Sequence, residues 1–128
     1  MQQRFNEWLN GLVEDDPIPF EVKHLLFIIS EYDDRVELAL TGSEKQLNIS
    51  YPSFYFPLEA QCFFDTEYFN LRPKGRETIF KLTKQMILSF VNSIKLSSAF
   101  GPNGRSLFAN MTISLGFRGK KTTFLVKT

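Results

Sequence analysis

Across residues 107–117 apolar and polar residues alternate without a break. Leu107, Ala109, Met111, Ile113, Leu115 and Phe117 fall on one side, and Phe108, Asn110, Thr112, Ser114 and Gly116 on the other. Side chains of an extended chain point alternately to opposite faces, so this period of two specifies a strand with one covered face. Such a strand needs a cover. It is legible in residues 76–96, where Ile79, Thr83, Met86, Ile87, Phe90 and Ile94 recur at helical spacing, widened by Phe80, Leu82 and Val91. Pro73-Lys74-Gly75 opens this helix, and Ser97-Ser98 with Gly101-Pro102-Asn103-Gly104 closes it. A helix of about 21 residues spans about 31 Å. A strand of about 11 residues spans about 36 Å. The two are expected to lie alongside each other over their whole length.

The rest of the chain supplies neighbours for that strand. In residues 20–30, Val22, His24, Leu26 and Ile28 fall on one side and Lys23, Leu25, Phe27 and Ile29 on the other, mostly apolar both ways. This predicts a central strand covered on both faces. Asp33-Asp34 turns the chain into a strand carrying Val36, Leu38 and Leu40, and Gly42-Ser43-Glu44-Lys45 turns it again before Leu47, Ile49 and Tyr51. Pro52 and Pro57 bracket Phe54-Tyr55-Phe56, expected as an extended edge or a structured loop, and Leu58, Ala60, Cys62 and Phe64 form a further alternating strand. Gly119-Lys120 closes a hairpin onto a last strand at residues 122–127. At the start, Phe5, Trp8, Leu9, Leu12 and Val13 form the stripe of a short helix stopped by Asp15-Asp16-Pro17. So short a helix is marginal alone, so it is expected to dock on the sheet, with a swapped arm gripping a second subunit as the alternative. Short connections favour antiparallel pairing. The expectation is a single α+β domain over residues 1–128, with an antiparallel sheet of about five to seven strands, the long helix across one face and the short helix at an end.

Composition narrows the class of molecule. A hydrophobic fraction of 43% and a charged fraction of 23% are those of a globular domain, but fourteen Phe, four Tyr and one Trp raise the aromatic share to 15%. Most of these rings are read as core, and a surplus on one surface would mark a contact patch. Cys62 is the lone cysteine, which excludes an intramolecular disulfide and a cysteine zinc framework. Met1-Gln2-Gln3-Arg4-Phe5-Asn6-Glu7 lacks the apolar core of a secretion signal, and the longest apolar run, residues 25–29, is far too short to span a bilayer. A reducing, cytoplasmic compartment and no membrane partner are expected.

Several local patterns have the outline of chemistry. Gly116-Phe117-Arg118-Gly119-Lys120-Lys121-Thr122 resembles a phosphate-binding loop, but it has two residues between glycines where four are needed and leads into a strand rather than a helix. It is read as a hairpin turn. Gly101-Pro102-Asn103-Gly104 has the outline of the loop that clamps nucleotide backbone in KH domains, yet it leads from a helix into a strand and is read as a helix stop. Glu21-Val22-Lys23 resembles the carboxylate-x-lysine element of restriction-type nucleases, with Asp15, Asp16, Asp33 or Asp34 as the further acid a metal needs. Such a triplet is common by chance on a charged strand. His24 is the only histidine and has no visible ligand or nucleophile partner, so it is read as a packed core or rim residue. Asp65 and Glu67 are read as a solvated turn.

Charge is sorted by position. Residues 1–68 hold four Lys/Arg against thirteen Asp/Glu, net −9, and residues 69–128 hold eleven against one, net +10. Either the halves neutralise each other or a cationic surface faces an outside partner. Arg72, Lys74 and Arg76 crowd the start of the long helix, where cations oppose its dipole. With Arg105, Arg118, Lys120 and Lys121 they form a candidate basic patch, and Phe54, Tyr55 and Phe56 a candidate aromatic contact. No catalytic, cofactor or metal-binding set is assigned. The favoured function is a small non-catalytic interaction or accessory protein that binds another protein, or itself, through a charge-polarised, aromatic-bearing surface. A nucleic-acid-binding domain using the basic half is the alternative, and a metal-dependent nuclease-like enzyme comes third.

Overall fold

The computed structural model describes residues 2–15, 22–32, 36–43, 56–57, 61–64, 74–97 and 110–128. Helix α1 covers Gln2–Asp15, strand β1 His24–Glu31, β2 Val36–Ser43, β3 Phe56–Pro57 and β4 Gln61–Phe64. Helix α2 covers Lys74–Ser97, and strands β5, Thr112–Phe117, and β6, Thr122–Lys127, close the chain. The class is α+β. The long strands lie in the order β2-β1-β5-β6, with the short β3 and β4 paired to the outer side of β2.

The sheet is mixed, which corrects the antiparallel expectation. β1 and β2 pair antiparallel as a tight turn allows, but β1 and β5 run parallel, with Leu25 level with Ile113, Phe27 with Leu115 and Ile29 with Phe117. Parallel neighbours need a long crossover, and α2 supplies it. Its first turn lies at the end of the sheet where β1 finishes, since Arg76 bonds Glu31. Its 24 residues run about 36 Å back, so β5 starts level with His24. The helix stripe is read correctly from its spacing, but a stripe does not say which way the chain returns.

Both helices cover the same face. Leu25, Phe27 and Ile29 of β1, Val36, Leu38 and Leu40 of β2, and Ile113 and Leu115 of β5 pack with Ile79, Met86, Ile87, Phe90 and Val91 of α2 and with Phe5 and Leu9 of α1. Phe5 is fully buried, and its ring lies 6.0 Å from that of Phe27 and 6.1 Å from that of Phe90. The Gln2 side-chain amide donates to the Met86 carbonyl at 3.1 Å, tying α1 to α2. Docking on the sheet is therefore the arrangement adopted by α1. Thr83 sits fully buried in the stripe and donates its hydroxyl to the Ile79 carbonyl, which satisfies it within its own helix. The opposite face of β1 holds Leu26 and Ile28, each 3% exposed, so this strand is covered on both sides as its composition predicts.

Three local departures have physical causes. Val22 packs with the helix-side cluster, not with Leu26 and Ile28, because it lies ahead of β1 where strict alternation does not hold. Gly42 belongs to β2 rather than to a turn, and a Cβ there would lie 2.7 Å from Val22 Cγ1. Only glycine admits Val22 at that point. Asn110 has φ of 58°, a left-handed conformation that asparagine tolerates, so β5 begins at Thr112 and is only six residues long. The expected match in length between this strand and the long helix does not hold. The strands expected around Leu47, Ile49 and Tyr51 and at residues 107–109 lie outside the described residues, as does the turn at residues 101–104.

Candidate interaction site

The parallel pair β1/β5 ends beside the first turns of α2, and that end of the sheet gathers charge and rings. Arg76, in the first turn of α2, donates from Nε to Glu31 Oε1 at 2.8 Å, joining the helix to the last residue of β1. Its guanidinium also lies over the Phe117 ring, 5.9 Å from the centroid. The ring partner and the carboxylate together account for a cation placed where the helix dipole opposes it. The pair is 57% exposed on the arginine side, so its contribution to stability is about 0–1 kcal/mol. Its effect is positional.

Phe80, one turn further along α2, stacks on Phe117 with centroids 6.4 Å apart and planes inclined by 25°. Arg76, Glu77, Phe80, Lys81 and Phe117 line an open groove of about 370 Å³. Its floor is aromatic and its walls carry both signs of charge. The spacing is helical: Arg76 and Phe80 share one line of α2, Glu77 and Lys81 the next.

The β5–β6 turn borders the same end. Arg118 donates from Nε to Ser30 Oγ at 2.7 Å, and its backbone N–H to the Ile29 carbonyl at 2.8 Å. Arg76 and Arg118 thus reach the molecule's frame through neighbouring residues, Glu31 and Ser30. The Lys120 N–H donates to the Phe117 carbonyl, and Gly119 takes φ of 82°, the positive value that closes this turn. The segment is a hairpin turn, as its sequence predicts. Lys120 and Lys121 project from it and are exposed.

Of the predicted basic patch, Arg76 stands in the first turn of α2 bonded to Glu31, Arg118 in the β5–β6 turn bonded to Ser30, and Lys120 and Lys121 follow in that same turn. Lys74 lies in the first turn of α2, but its side chain, like Arg72 and Arg105, falls outside the described residues. Phe54 and Tyr55 also fall outside them, and Phe56 is placed only as part of β3. The sequence reading missed Glu31, Phe80, Lys81 and Phe117 as members of one surface. The available signal was the direct coupling of ring and cation in Phe80-Lys81 and Phe117-Arg118.

Lys23 is exposed ahead of β1, while Glu21, Asp16, Asp33, Asp34, Asp65 and Glu67 lie outside the described residues, as do the side chains of Asp15 and Cys62. Among the described residues, no group of three or more His, Cys, Asp or Glu is placed to hold a metal. His24 sits at the far end of the sheet, where a hydrogen bond joins its Nδ1 to the Thr112 hydroxyl. Burial holds its pKa below 6.5 by disfavouring the charged ring. No helix among the described residues is long and apolar enough to cross a membrane.

The ion pairs among the described residues answer part of the charge question. Arg76 has its carboxylate in Glu31, whereas no described carboxylate lies within ion-pair distance of Lys81, Lys120, Lys121 or Lys127. No known protein family matches the sequence, and neither the curated proteins nor the solved structures contain a significant match to it.

Proposed function

We propose that this protein is a non-catalytic recognition module that binds an acidic segment of another protein at the end of the sheet formed by α2 and the β5–β6 hairpin. The observation that carries this reading is the unmatched charge of the hairpin. Residues 110–128 contain Arg118, Lys120, Lys121 and Lys127 and no carboxylate. None of the four has a described counter-ion, Arg118 bonding the Ser30 hydroxyl instead. Cations that the fold does not pair steer and orient an oppositely charged partner. The groove beside them supplies an apolar floor, Phe80 and Phe117, for a side chain flanked by acids.

A nucleic acid is the weaker fit. The Phe80 and Phe117 rings face each other instead of standing free for bases. A reducing compartment belongs to the same reading and rests on Cys62 as the lone cysteine.

The test is fluorescence anisotropy with two labelled probes at low salt, a peptide of alternating Glu and Phe and a single-stranded oligonucleotide. The peptide is expected to bind, to be released as salt rises, and to weaken about tenfold with Lys120→Glu/Lys121→Glu. Binding of the oligonucleotide in preference to the peptide overturns the assignment of the partner. Indifference of the peptide to the double substitution overturns the assignment of the surface.

A further inference from the structure

β6 is the last strand of the sheet, and among the described residues no strand pairs with its outer side. Such an edge presents a row of backbone donors and acceptors, which proteins normally block with proline, inward charges or a cover. Here Thr122, Thr123, Phe124, Leu125 and Val126 are all residues that favour or accept extended structure, and none is proline. A register shift opposite Ile113 and Ser114 lets Leu125 and Val126 both pack against the core, while Phe124 pairs level with Ser114 on the face away from the helices. Phe124 is 55% exposed, more than any other large apolar side chain described. Both ends of this edge are cationic: Lys120 and Lys121 precede it and Lys127 closes it, each exposed and without a described counter-ion.

We infer that β6 is a docking edge for strand addition, taking an extended segment of a partner protein whose ends are acidic and whose centre is apolar. The inference deepens the reading of the hairpin as a protein-binding surface and rests on it, adding how the partner is held. Backbone hydrogen bonds along β6 give the grip, Phe124 covers an apolar side chain of the added strand, and the lysines at either end hold its carboxylates. A second copy of this chain is a poor occupant. Two β6 strands paired antiparallel about Leu125 bring the lysines at the two ends of the edge toward one another, a like-charge juxtaposition.

The probe is a capped peptide with two glutamates at each end and alternating Thr and Val between, long enough to match the roughly 20 Å of β6. Its control carries lysines in place of the glutamates. Amide hydrogen exchange of the isotope-labelled full chain is followed by NMR with and without each peptide. The acidic peptide is expected to slow exchange within residues 122–127, and Phe124→Ala, an exposed position that leaves the core intact, to weaken it about tenfold. Lys120→Glu/Lys121→Glu/Lys127→Glu should exchange the preference to the lysine peptide. Binding that protects amides elsewhere and leaves 122–127 unchanged overturns strand addition while the recognition reading stands. Absence of binding by either peptide removes both. A dimer in sedimentation whose β6 amides are already protected assigns the edge to a second copy and overturns the inference.

Discussion

His24 shows how one side chain can carry a pH dependence without taking part in chemistry. Its ring bonds Thr112 across the parallel β1/β5 pair, and burial lowers its pKa below 6.5. Above pH 6.5 the ring is neutral in folded and unfolded chains alike, so it contributes no pH dependence there. As pH falls below 6.5 the unfolded chain takes up a proton that the folded chain resists, so stability must decline with acidification until the folded pKa is passed. Urea midpoints measured between pH 7 and about pH 5, above the range where carboxylates titrate, should fall for the parent chain and stay nearly flat for His24→Gln. Equal slopes for the two proteins would assign the acid sensitivity elsewhere. Sequence reading leaves His24 as a packed core or rim residue of a strand, and its partner Thr112 lies 88 residues away, where no local pattern announces it.

At the scale of elements, periodicity was informative wherever one face of an element meets one cover. The stripe of α2 is buried at Ile79, Thr83, Met86, Ile87 and Phe90, the positions that spacing marks, and α1 buries Phe5 and Leu9. Direction was not legible, because parallel and antiparallel pairing bury the same alternating residues and differ only in where the crossover returns the chain. Strand ends were misjudged for local reasons: Asn110 bends the backbone before β5, and Gly42 continues β2 because Val22 occupies the space a side chain would need. The same limit applied to the site. Glu31, Phe80 and Phe117 are remote in sequence and meet only because α2 starts where β1 and β5 end. Docking of α1 has a direct check in Phe5, whose ring packs on Trp8, Phe27 and Phe90. Phe5→Ala should cost about 3–5 kcal/mol by chemical denaturation, and should shift the emission of Trp8, the sole tryptophan, toward that of an exposed indole. Unchanged stability and emission would mean that α1 does not contribute to the core.

Across the whole molecule, some charges are used by the fold and others are not. The segregation of −9 and +10 between the two stretches of chain permits mutual neutralisation, and Arg76 with Glu31 is one instance of it. The β5–β6 hairpin is the counter-instance, with its lysines exposed and no described carboxylate beside them. Charges that fold stability does not require remain available to a partner. The decisive measurement is the denaturation midpoint of Lys120→Gln/Lys121→Gln/Lys127→Gln against the parent chain, each at low and high salt. Lysines surplus to the fold predict a midpoint equal to the parent's or slightly higher, within about 0.5 kcal/mol, as repulsion among like charges is relieved. A loss of more than about 1 kcal/mol at low salt that disappears at high salt would show these lysines already engaged by the protein's own acids, and would contradict the account.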